Sequence, residues 1–109
     1  MDYKKIYEHF IQSRRQKEFA LIKSVEYVER HHIIPISLGG EKKDAKNLIA
    51  LTAEDHLFAH LLLAKIYGGT MWLAVKAMLD FEPNQTTSYR RITNKKTRKK
   101  FAFVRKQVA

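Results

Sequence analysis

The sequence predicts an α+β fold that is mostly helical, and three observations predict it. Apolar residues recur at helical spacing near the start and again after residue 70. Between these stretches lie two short runs of strand-forming residues, separated by a loop that contains Gly39-Gly40. A strong helix start, Thr52-Ala53-Glu54-Asp55, follows the second run. The chain has 109 residues and is 45% hydrophobic, enough for one modest core, so residues 1–109 are expected to form a single domain.

The elements follow in order. Tyr3, Ile6, Tyr7, Phe10 and Ile11 fall at i, i+3, i+4, i+7 and i+8, one face of a helix that runs to about Lys17. The boundary between this helix and the first strand is open over residues 19–27. Residues 27–34 have β-branched and aromatic character and end at Pro35, which reads as a strand. Residues 37–44 read as a loop, and residues 48–51 as a short second strand. Thr52 suits an N-cap, Asp55 puts a carboxylate in the first helical turn, and the helix runs to about Tyr67 before Gly68-Gly69. Met71, Trp72, Val75, Met78 and Leu79 make another apolar helical face that ends before Pro83, and Ser88 suits the cap of a final basic helix. The stripes Tyr3/Ile6/Phe10 and Trp72/Val75/Met78 are expected in the core, and His9 at the surface.

Charge is unevenly spread. Lys and Arg number 21 against 11 Asp and Glu, a net +10. Residues 1–82 carry twelve of the basic residues and all eleven acids; residues 83–109 carry nine basic residues and no acid. That basic segment points to a polyanionic partner, and Arg90, Arg91, Lys95, Lys96, Arg98 and Lys99 are its candidate DNA contacts, with Arg30 a further candidate by position. The absence of cysteine excludes a disulfide framework, a Cys-based zinc finger, an iron–sulfur site and a thiol nucleophile. No apolar run is long enough to span a bilayer, and the first residues have no apolar signal core, so a cytoplasmic protein with no membrane partner is expected.

Four of the five histidines stand within thirty residues, spaced His31-His32, fourteen residues, Asn47, eight residues, His56, three residues, His60. His56 and His60 lie one helical turn apart, so their rings can converge on one ion, and a hairpin packed on that helix brings His31 to the same ion. Adjacent strand residues point to opposite faces, so His31 and His32 should not both be ligands unless the strand ends there; on that division the His32 ring is free to act as a general base. A backbone carbonyl in the following loop would fix its tautomer. Asn47, with two donors and an acceptor, suits a tie between the Gly39-Gly40 loop and the second strand. Three neutral imidazoles suit a divalent ion such as Zn²⁺, Ni²⁺, Co²⁺ or Mn²⁺ and leave a coordination position open. For Glu29 and Arg30, the residues alone read as solvated strand positions.

This spacing, carried by Glu29-Arg30-His31-His32-Ile33-Ile34-Pro35, Gly39-Gly40, Asn47-Leu48, His56 and His60, closely resembles the HNH endonucleases, particularly the small phage-encoded type. The resemblance covers about residues 27–67 and implies a ββα-metal core flanked by N-terminal and C-terminal helices. It implies one divalent ion (Zn²⁺, Mg²⁺, Mn²⁺ or Ni²⁺) held by His31, His56 and His60, with His32 as general base, Asn47 holding the hairpin, and Glu29 standing where many relatives have an acid. The implied reaction is hydrolysis of a DNA phosphodiester to a 5′-phosphate and a 3′-hydroxyl, by nicking or by double-strand cleavage. Other phage proteins are possible partners. Two rivals share the motif: a non-catalytic, zinc-stabilised DNA-binding module, and a phage-packaging accessory module.

Overall fold

A computed structural model describes residues 1–24 and 27–79. Five elements carry the architecture: helix α1 (Tyr3–Ser24), strands β1 (Glu29–His32) and β2 (Leu48–Leu51), helix α2 (Ala53–Tyr67) and helix α3 (Met71–Leu79). Short 3-10 turns, Ile36–Leu38 and Ala45–Asn47, shape the link between the strands. The fold is therefore α+β and mostly helical, with one two-stranded antiparallel sheet. The anticipated final basic helix, its Ser88 cap and the basic segment 83–109 lie outside the described residues.

Helix α1 starts where the Asp2 carboxylate accepts the Lys5 amide, 3.0 Å away, satisfying one of the free donors of the first turn. It then runs seven residues past the Lys17 end expected from its apolar period. Phe19 and Ile22 stand exposed on the extension, so burial does not hold these turns. Lys17, Glu18, Ala20 and Leu21 are good helix formers, and their propensity carries the helix onward. The face turned inward is Tyr7, Phe10 and Ile11, with Tyr3 half-buried at its start. Ile6 is 36% exposed, a correction to the anticipated stripe: it sits at the edge of this face.

Strand β1 is shorter than the 27–34 segment, because Ile34 gives its amide to the Asn47 side chain rather than to a strand ladder. The register pairs Glu29 with Leu51, Arg30 with Ala50, His31 with Ile49 and His32 with Leu48. Glu29 and His31 are buried while Arg30 is exposed, the alternation that a pleated strand imposes.

Helix α2 begins as its sequence demands. Thr52 Oγ1 accepts the Asp55 amide at 3.1 Å, and Glu54 and Asp55 place negative charge at the positive end of the helix dipole. It ends at Gly68, whose amide returns to the Ala64 carbonyl at 2.8 Å. Gly68 and Gly69 have φ of 65° and 53°, values that favour residues without a Cβ. Arg14 of α1 pairs with Asp55 at 2.7 Å, fixing the start of α2 against α1.

Two cores share α2. Ala59, Leu62 and Leu63 pack with Tyr7, Phe10 and Ile11 of α1 and Ile49 and Leu51 of β2. Leu57 and Ala64 pack with Val75, Met78 and Leu79 of α3. Each large apolar side chain buried this way contributes about 1.5–3 kcal/mol. Trp72 is 38% exposed, a second correction: the nine residues of α3 turn Val75, Met78 and Leu79 toward α2 and leave Trp72 on the rim. Among the described residues no helix is long and apolar enough to cross a membrane.

Helix α1 also closes the outer side of β2. Glu18 Oε2 accepts the Ala50 amide at 2.7 Å, and Glu18 Oε1 pairs with Arg15 at 2.8 Å. Burial works to raise the Glu18 carboxyl, but the Ala50 amide and the Arg15 guanidinium outweigh it and hold it below the usual carboxylate range. The folded state then binds fewer protons than the unfolded one. The contribution is full above the ordinary carboxylate pKa and fades as pH falls through the lower folded value. Replacing Glu18 by Ala strands the amide of a fully buried residue, and a loss of about 1–3 kcal/mol is expected in chemical denaturation at neutral pH. Unchanged stability would mean that water replaces the carboxylate.

Candidate metal centre

The pleat of β1 and one turn of α2 bring three imidazoles together. His31 projects from the buried face of β1, and His56 and His60 project from α2 at i and i+4. The His31 ring centroid lies 5.2 Å from that of His56 and 5.0 Å from that of His60; the latter two are 4.8 Å apart. One ring nitrogen from each of the three lies within 4.8 Å of the other two, so this trio could hold a metal ion.

Its chemistry fits such an ion. His56 Nε2 and His60 Nε2 are 3.2 Å apart, close to the roughly 3.3 Å edge of a tetrahedral site built on a 2.0–2.1 Å zinc–nitrogen bond. His31 is 1% exposed, and its Nδ1 is buried without a hydrogen-bond partner, a costly state for a lone pair unless something binds there. Burial, and then the neighbouring His60, His56 and His32, push the His31 pKa down to about 2. The ring therefore stays neutral, the form that donates to a metal.

Behind the trio stand supporting groups. Glu29 Oε1 lies 2.6 Å from His56 Nδ1, and the Tyr27 hydroxyl donates to Glu29 Oε2. A carboxylate on Nδ1 leaves Nε2 of His56 to face His60, the arrangement by which metal-binding histidines are held in register. Glu29 is 7% exposed, which corrects its reading as a solvated strand position. On the other side, Tyr7 of α1 places its hydroxyl 2.8 Å from His31 Nε2 and 2.6 Å from the Ile33 carbonyl. Burial, with a smaller effect of Tyr67, raises the Tyr7 hydroxyl well above its usual range, so it remains protonated.

His32, next in the chain, is half-buried and turned away from the trio's face of the strand. Its Nε2 lies 3.1 Å from the Lys42 carbonyl, in the loop that follows. A carbonyl only accepts, so Nε2 carries the proton and Nδ1 keeps a lone pair that can take one from water. Asn47 holds that loop: its Oδ1 accepts the Ile34 amide at 2.8 Å, and its Nδ2 donates to the Ile34 and Glu41 carbonyls at 3.0 Å. The Asn47 carbonyl also accepts the Ile33 amide at 2.8 Å. Gly40 fits beneath, where a Cβ would stand 1.8 Å from the Ile34 carbonyl oxygen.

The structure thus brings His31, His56 and His60 into one cluster, sets Glu29 behind it, and puts His32 and Asn47 at the hairpin loop beside it. Arg30 is exposed on the outer face of β1. Arg90, Arg91, Lys95, Lys96, Arg98 and Lys99 lie outside the described residues. Tyr7 escaped the sequence reading as a site residue, because at helical spacing it is indistinguishable from the core residues around it.

Comparison with known proteins gives several relatives from phage T4. The chain is 49% identical over 67 residues to "Probable mobile endonuclease E", a match spanning 62% of this chain and 44% of that protein. It is 41% identical over 88 residues to "Probable mobile endonuclease C", spanning 81% of this chain and 41% of that protein. It is 43% identical over 67 residues to "Probable mobile endonuclease D", spanning 62% of this chain and 26% of that protein. The matches therefore span less than half the length of each of these relatives. No family model matches the chain, and no solved structure does.

Proposed function

We propose, from the premise that this chain belongs to the phage endonuclease family of those T4 proteins, that it is a metal-dependent HNH nuclease hydrolysing DNA phosphodiester bonds. One observation carries the reading. Three rings from β1 and α2 converge and His31 Nδ1 is buried without a hydrogen-bond partner, while the adjacent His32 is tied through Nε2 to the Lys42 carbonyl and is only half-buried. A closed structural site would have no use for that arrangement of the second histidine.

His31, His56 and His60 would hold the ion. When bound, a divalent ion there supplies Lewis-acid stabilisation of the charge that grows on the phosphate and the leaving oxygen. The chain's own residues do the rest. His32 takes a proton from water at Nδ1 as the water oxygen bonds to phosphorus and the bond to the 3′ oxygen breaks in line; the leaving oxygen collects a proton from solvent. The Lys42 carbonyl keeps His32 in the tautomer that can do so. Asn47, through three bonds to the loop backbone, keeps that carbonyl in place. Glu29 supports His56 rather than touching substrate. Arg30, exposed, and the basic residues beyond 83 supply phosphate contacts that give affinity without reading sequence.

The test is plasmid cleavage by the full chain across a series of divalent ions, with EDTA as control. Nicked or linear DNA is expected only with an ion present, and the yield should fall steeply with added salt. A plasmid left intact with every ion, or cut equally in EDTA, refutes the proposal.

A further inference from the structure

Helix α1 lies outside the strand–loop–strand–helix unit, yet one of its side chains reaches the candidate centre. Tyr7 is 7% exposed, and its ring stands edge-on to His31, 6.2 Å between centroids with an interplanar angle of 76°. Its hydroxyl meets two groups, the Ile33 carbonyl oxygen at 2.6 Å and His31 Nε2 at 2.8 Å.

A phenol has one proton to give and lone pairs with which to accept. The Ile33 carbonyl has no proton, so a contact of 2.6 Å is a bond only if the phenol donates it. The contact with His31 is then one that the phenol accepts, and Nε2 must carry the hydrogen. A neutral imidazole has one N–H, so His31 Nδ1 is left with its lone pair. The opposite assignment, with the phenol donating to Nε2, would set two oxygen lone pairs against each other at 2.6 Å and leave a buried N–H on Nδ1 with no acceptor.

We infer that Tyr7 is a positioning residue: its hydroxyl selects the Nε2-protonated form of His31 and so makes Nδ1 the atom that binds the metal. The inference rests on the metal-centre reading above. The same hydroxyl grips the carbonyl of Ile33, the residue after His32, so α1 sets the ligand and the end of the strand that bears the proposed base with one group. Histidine ligands are oriented by the bond their other nitrogen makes, and loss of such a partner typically weakens metal binding 10- to 100-fold.

The experiment uses the full chain labelled with ¹⁵N-histidine, free of metal, and long-range ¹H–¹⁵N NMR correlation of the His31 ring. The unaltered chain is expected to show Nε2 protonated and Nδ1 bare; the reverse pattern overturns the inference without recourse to any variant. Tyr7→Phe should lose that fixed pattern and bind Co²⁺, followed by visible absorption, about 10- to 100-fold more weakly. His9→Ala, an exposed change on the same helix, should alter neither. Co²⁺ uptake that Tyr7→Phe does not weaken overturns the inference alone. No uptake by the unaltered chain overturns the metal centre itself and the inference with it.

Discussion

Replacing His32 by Ala is expected to cut the rate of DNA cleavage by about 10²- to 10⁴-fold, the usual worth of a positioned general base. Metal uptake should be retained. Two of the three candidate ligands keep supports on residues other than His32, Glu29 for His56 and Tyr7 for His31. The His32 ring is half-buried and its one bond to the Lys42 carbonyl is at the surface, so its removal opens no large cavity. Plasmid cleavage and a Co²⁺ titration on the same preparations separate the outcomes. Loss of cutting with loss of Co²⁺ binding would mean that His32 supports the centre instead of attacking through water. Full cutting by the variant would remove it from the mechanism. A parent protein that binds Co²⁺ and never cuts would favour the zinc-stabilised DNA-binding scaffold.

Replacing Gly40 by Ala is expected to destabilise the protein by about 3 kcal/mol or more, the upper end of overpacking costs, and to lower Tm by more than about 10 °C. The Cβ would stand 1.8 Å from the Ile34 carbonyl oxygen, 2.7 Å from the Ile34 carbonyl carbon and 2.9 Å from Asn47 Nδ2. The first two are backbone, so no rotamer change relieves them. The third belongs to the side chain that ties this loop to Ile34 and Glu41, so the displacement also breaks the Asn47 bonds. Because the Lys42 carbonyl that orients His32 lies two residues on, cleavage should fall even below the melting transition. Thermal unfolding followed by circular dichroism reads the first effect. A Tm within about 2 °C of the parent would show that the loop moves freely, contrary to the tight packing on which the expectation rests.

What could be read from the sequence was local. The second strand falls at residues 48–51 as expected, and α2 runs from its Thr52 cap to Gly68, because caps and breakers act within one turn. The clustering of His31, His56 and His60 was legible for the same reason: i and i+4 share a helix face, and neighbouring strand residues alternate. The extension of α1 was not, since its apolar period lapses where propensity takes over at Phe19 and Ile22. Periodicity alone puts Ile6 and Trp72 in the core, because it cannot tell the centre of an apolar face from its rim. Tyr7 and Glu18 depend on partners 24 and 32 residues away, His31 and Ala50, and no local pattern announces such pairs. Glu29 reads as solvated from the sequence because its half-buried partner, His56, comes from another element.

The Glu18 carboxylate on the Ala50 amide has a consequence for how copies of this protein behave at high concentration. A two-stranded sheet offers bare rims to which a foreign strand can add, the first step toward aggregates. An incoming chain at β2 would find a carboxylate already seated on the central amide and α1 lying across the approach. The helix is thereby a guard against self-association as well as a wall of the core, and a preparation of Glu18→Ala should turn cloudy on concentration before the parent does.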